Sequence, residues 1–90
     1  MSDKKELVVY AATWCPHCHR TVDFLTQKGI PFRYVDIEKA PEEVVNKIIE
    51  VNGGDDWVVP TIEYDGHWRP GKVFNESELT RDLRAMGVSI

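Results

Sequence analysis

Apolar positions change their spacing several times along the chain, and each spacing predicts an element. Leu7 to Ala11, "LVVYA", is an unbroken apolar run, partly β-branched, as expected of a central parallel strand buried on both faces. From Pro16 the period becomes helical: Cys18, Val22 and Leu25 recur at i, i+4 and i+7, and Gly29 followed by Pro31 supplies the stop. "PFRYVDI" predicts a second strand. Pro41 opens an amphipathic helix with Val44, Val45, Ile48, Ile49 and Val51, ending at Asn52 to Gly54, where glycine suits a left-handed cap.

After "DDWVVP" the pattern predicts a short strand "TIEY", a turn at Asp65 and Gly66, and an edge strand in the region of Lys72 to Phe74. Asn75 with Glu78 three residues on resembles a capping box and starts a last helix carrying Leu79, Leu83 and Met86. The order is β-α-β-α-β-β-α. A right-handed crossover makes the first two strands parallel, and the short link between the last two makes a hairpin. This predicts an α/β fold, a four-stranded mixed sheet flanked by three helices, in one domain spanning residues 1–90 with no repeats or linkers.

Composition narrows the function classes. The 42% hydrophobic and 29% charged fractions are those of an ordinary globular protein. A formal charge of -4 argues against nucleic acid, which needs a basic face. Acid is concentrated where Glu38, Glu42, Glu43, Glu50, Asp55 and Asp56 outnumber Lys39 and Lys47, and a solvated helix face accounts for it. Lys4 and Lys5 precede an apolar run, "LVVYAA", that is too short for a secretory leader, and no stretch approaches the ~20 apolar residues of a membrane span. A cytoplasmic protein without membrane association is therefore expected. In a reducing compartment, two cysteines point to catalytic or metal-binding use rather than a permanent staple.

Both cysteines lie in "TWCPHCHR", Thr13 to Arg20, together with two of the three histidines. The stretch admits three chemistries: a C-x-x-C redox dithiol, half of a metal or iron-sulfur site, or the C-x-x-C-H attachment of a c-type haem through Cys15, Cys18 and His19. A metal would need ligands from Cys15, Cys18, His17, His19 and His67, without the second closely spaced pair usual in structural zinc sites. Haem attachment requires export, for which no signal is seen.

The dithiol reading uses the local pattern directly. A strand that delivers Cys15 to the first turn of a helix places its sulfur against unpaired N–H groups and the positive end of the dipole, favouring a thiolate nucleophile. Cys18, one turn on and directed inward, is placed to resolve the mixed disulfide. Pro16 suits the first turn, and His17, as an imidazolium or N–H donor, is a candidate for tuning the Cys15 thiolate. Trp14 is expected in an apolar rim around Cys15.

In "VVYAATWCPHC", "YVDIE" and "VVPTIEYDG" the chain resembles the thioredoxin superfamily and, within it, the glutaredoxins; "VDIE", "VNGG" and "VPT" look most like the mycoredoxin branch. The resemblance covers essentially the whole chain. It implies the thioredoxin-like, glutaredoxin-type fold, a redox-active disulfide between Cys15 and Cys18, and a cis bond between Val59 and Pro60 against the dithiol, leaving the Val59 backbone free to pair with substrate. It further implies substrate contacts at Trp14, Val59, Pro60 and Gly71, no cofactor, and a monomer acting on disulfide-containing proteins or mixed disulfides. Cluster binding in such proteins goes with glycine after the first cysteine, and here that residue is Pro16.

Two departures weaken glutathione recognition. Ala12 stands where a lysine is usual, and "RPGKVF" keeps only Gly71 of a Gly-Gly pair, although Lys72 and Arg69 offer partial compensation. The electron donor is then expected to be another low-molecular-weight thiol or a thioredoxin-reductase-type flavoenzyme.

Overall fold

The computed structural model describes residues 6–90; Lys4 and Lys5 lie outside the described residues. Strands β1 (Leu7–Ala11), β2 (Arg33–Asp36), β3 (Thr61–Tyr64) and β4 (His67–Arg69) form one sheet in the order β2-β1-β3-β4. It is flanked by helices α1 (Pro16–Gln27), α2 (Glu42–Val51) and α3 (Glu76–Met86). β1 pairs parallel with β2 and antiparallel with β3, so Val9 faces Tyr34 on one side and Ile62 on the other. Central placement explains the unbroken apolar run, and Val9, Leu25, Ile37, Ile48, Ile62, Leu79 and Leu83 form the fully buried centre of the core.

β2 is shorter than "PFRYVDI" suggests, because the chain turns into a 3-10 segment at Ile37–Lys39, where the Asp36 carboxylate accepts the Glu38 N–H at 3.0 Å. The buried stripe of α1 is Cys18, Thr21, Phe24 and Leu25, whereas Val22 is half-buried. Thr21 tolerates burial because its hydroxyl donates to the His17 carbonyl at 2.9 Å. α2 ends at Asn52, and α3 starts on the Asn75 side chain, which accepts the Glu78 N–H at 3.0 Å as its spacing predicts.

The last strand is not where the pattern put it. Asp65 (φ 50°) and Gly66 (φ 81°) form a tight left-handed turn that pairs Tyr64 directly with His67, so β4 occupies His67–Arg69. Pro70 has no N–H to continue the ladder, and Lys72 to Phe74 run as an irregular loop. Behind β4, Arg69 is 5% exposed and its Nε donates to Asp82 of α3 at 2.8 Å, with Lys72 Nζ 3.4 Å from the same carboxylate oxygen. This ionic clamp ties the hairpin to the last helix.

Candidate active site

β1 runs through buried Ala12 into a turn closed by the Cys15 N–H on the Ala12 carbonyl at 3.1 Å. Cys15 then takes an extended conformation, and its Sγ serves as the N-cap of α1, accepting the Cys18 N–H at 3.2 Å. A cysteine is an unusual cap. It works because sulfur accepts a hydrogen bond weakly as a thiol and well as a thiolate. The same Sγ lies 3.9 Å from the Val59 carbonyl.

Cys18 lies slightly deeper than Cys15, which is itself only 5% exposed. Cys18 is 1% exposed, and burial first, with its hydrogen bond to Cys15 second, pushes its thiol up to about 12. Both cysteines are free thiols. The pair thus combines a sulfur that caps the helix with a thiol held protonated one turn further on.

The opposing wall is the segment before β3. The Val59–Pro60 bond is cis, Pro60 is buried and Val58 is exposed. Trp14 is 61% exposed, its indole donates to Glu38 at 3.1 Å, and its ring lies 6.4 Å from that of Trp57. Val73, 65% exposed, adds a further apolar residue on the loop after β4. Gly71 packs so closely on Val58 that a Cβ there would stand 2.4 Å from Val58 Cγ1. Trp14, through Trp57, and Gly71, through Val58, therefore both adjoin the segment that carries Val59 and Pro60.

Three side chains are engaged in ways the sequence does not reveal. His17 Nδ1 accepts the Phe74 N–H at 3.1 Å, so in this arrangement that nitrogen carries no proton and the ring tethers α1 to the loop. His19 Nε2 is bonded to the Thr13 carbonyl. Arg69, expected as a possible carboxylate clamp for a ligand, is buried against Asp82 and already paired. Among the described residues no group of three His, Cys, Asp or Glu side chains is arranged to hold a metal ion. Sequence reading places Asn52 only at the end of α2 and misses its side-chain role: it bonds Ile48, Thr61 and Gly71, for which a helix-ending asparagine gives no local signal.

The sequence model of the family described as Glutaredoxin matches residues 7–68, which include the strand, both cysteines and the cis-proline segment. The chain belongs to the glutaredoxin family. Among curated proteins, an N-acetyl-S-hydroxy-L-cysteine reductase of Bacillus subtilis is 32% identical over 54 residues, 60% of this chain and 56% of that one. A glutaredoxin of Pseudomonas aeruginosa is 36% identical over 36 residues, 40% of this chain and 43% of that one. The chain spans about half the length of the curated relatives it matches. A solved glutaredoxin from Archaeoglobus fulgidus superposes with a TM-score of 0.70 at 29% identity, covering 91% of this chain and 89% of that one. A buckwheat glutaredoxin solved with glutathione gives a TM-score of 0.68 at 20% identity, covering 91% of this chain and 76% of that one, a likeness of fold alone.

Proposed function

We propose that this glutaredoxin-family chain is a dithiol thiol-disulfide oxidoreductase with Cys15 as nucleophile and Cys18 as resolving thiol. The observation that carries the reading is the Cys15 Sγ itself, which caps α1 and faces the Val59 carbonyl at 3.9 Å. The Cys15 thiolate attacks one sulfur of the substrate disulfide, forming a mixed disulfide and releasing the other half as a thiolate, which takes a proton from solvent. Cys18 then loses its proton to the departing sulfur, attacks Cys15 and closes the intramolecular disulfide. The reduced substrate leaves with two electrons. An extended substrate segment pairs with the Val59 backbone between Trp14 and Val58, as in other edge-addition complexes. The Bacillus relative, named for an S-hydroxy-cysteine substrate, suggests that sulfenic acids are open to the same attack, with water as the leaving group.

For the donor, the loop after β4 argues against glutathione. Small carboxylates need fixed, convergent donors. Here the Gly71 N–H is taken by Asn52 at 2.8 Å and the Phe74 N–H by His17 at 3.1 Å, while Pro70 has none. Ala12 contributes no charge, and Arg69 is held by Asp82. A thioredoxin-reductase-type flavoenzyme, or a thiol lacking glutathione's two carboxylates, is the better-fitting donor.

An NADPH-coupled assay on a protein disulfide, with glutathione plus its reductase in one arm and thioredoxin reductase in the other, tests both levels. NADPH consumption is expected in the flavoenzyme arm. Efficient turnover at millimolar glutathione with thioredoxin reductase inactive would overturn the donor assignment, and no disulfide reduction with any donor, dithiothreitol included, would overturn the activity.

A further inference from the structure

The wall opposite Cys15 is short, partly exposed and outside any helix or strand, yet it must hold one position for a substrate to pair with it. Val58 is held from two directions. Its carbonyl accepts the Thr61 hydroxyl at 2.6 Å, and its side chain and carbonyl carbon press on Gly71, where a Cβ would meet them at 2.4 to 2.9 Å. Both of these supports are bonded to one side chain. Asn52 Nδ2 donates to Thr61 Oγ1 at 3.0 Å and to the Ile48 carbonyl at 2.8 Å, and Asn52 Oδ1 accepts the Gly71 N–H at 2.8 Å. The arrangement needs two donors and an acceptor on one planar group at the end of α2, which only an amide supplies.

We infer that Asn52 is a positioning residue for the disulfide substrate, fixing the Val58–Val59 backbone relative to Cys15 through Thr61 and Gly71. The inference rests on the proposed oxidoreductase reading and specifies how that site holds an extended partner. Asn52 acts on the wall rather than on the sulfur. Its loss therefore weakens binding of substrates that pair with the Val59 backbone and leaves the attack of Cys15 on a small disulfide alone.

The test is a single-turnover measurement with pre-reduced protein against two probes, a disulfide-bonded peptide and bis(2-hydroxyethyl) disulfide, which has no backbone to pair. Asn52→Ala should raise the half-saturating peptide concentration about fivefold, the equivalent of one neutral hydrogen bond, with the limiting rate and the rate on the small disulfide changed less than twofold. Thr61→Val should do the same, Thr61→Ser should restore the original value, and the Asn52→Ala/Thr61→Val double variant should be little worse than either alone, since both break one network. Gly71→Ala, which pushes on Val58 from the loop, keeps the test open if Asn52→Ala folds poorly and should shift the peptide constant in the same direction. Equal losses on both probes, a fall in limiting rate at unchanged half-saturation, or additive effects of the two variants would overturn the positioning role. A wild-type protein that reduces neither probe would overturn the oxidoreductase reading instead.

Discussion

The segment that begins at the last residue of β4 is fastened at two places by opposite means. At its start, Arg69 is buried in an ionic clamp with Asp82, with Lys72 and Glu78 close by. Farther along, the Gly71 and Phe74 N–H groups donate single hydrogen bonds to Asn52 Oδ1 and His17 Nδ1. The difference is one of purpose as well as strength. A buried charge pair is costly to break by halves and so resists local opening. Neutral bonds, each worth about 1 kcal/mol net, fix geometry without adding charge. Stability is concentrated behind β4, and position is concentrated at the thiols.

The comparison can be broken most sharply at Cys15. Cys15→Ser should abolish reduction of disulfides while leaving the clamp, and hence most of the urea resistance, in place. Next in size is the inequality of the thiols. With Cys18 pushed up to about 12, iodoacetamide at neutral pH should label Cys15 alone, and equal labelling found by mass spectrometry would contradict the assignment.

Cutting the clamp should show the converse. Asp82→Asn leaves Arg69 buried beside only Glu78 at 3.9 Å and should cost about 3 kcal/mol in urea unfolding, with the turnover of folded molecules unchanged. The pH dependence follows from the same carboxylate. Burial alone would raise the pKa of Asp82, but bonds from Arg69, Arg81 and Lys72 outweigh it and hold it below the ordinary value. Because the folded pKa is depressed, its contribution is complete above the unfolded value of ~3.9 and is lost as pH falls through the lower folded one. Wild-type and Asp82→Asn stabilities should therefore converge in strong acid. The smallest effect belongs to His17→Phe, which removes one acceptor. It should cost about 1 kcal/mol, seen as faster amide hydrogen exchange at Phe74 with little change elsewhere.

What was legible in the sequence follows the range of the interactions. β1, the start of α1 at Pro16, the turn at Asp65 and Gly66, and the Asn75 cap all depend on neighbours within a few residues, and all appear as patterned. Lys72 to Phe74 form a loop although Val73 and Phe74 are strand-type residues. In fact Val73 is exposed, and Phe74 is apolar because its ring packs edge-on against Phe24 of α1 at 6.2 Å. Similarly, His17 finds its partner 57 residues away and Asn52 finds Gly71 19 residues away, so the spacing around either residue carries no trace of the bond. Arg69 shows the same limit for charge: an arginine before Pro70 reads as available until the clamp with α3 is seen.

The cap on α1 has a thermodynamic consequence. Under the proposed dithiol chemistry, the sulfur that accepts the Cys18 N–H would be a poorer acceptor once bonded to Cys18 than as an attacking thiolate, so α1 would begin on a stronger cap in the reduced protein. Oxidation and unfolding are thereby linked in one cycle. Any extra unfolding free energy of the reduced form over the oxidised form equals the oxidising strength of the folded pair relative to the same two cysteines in an unfolded chain. Denaturation curves recorded in the two oxidation states therefore give the potential of the folded pair relative to that of the unfolded chain, with no electrode and no partner protein.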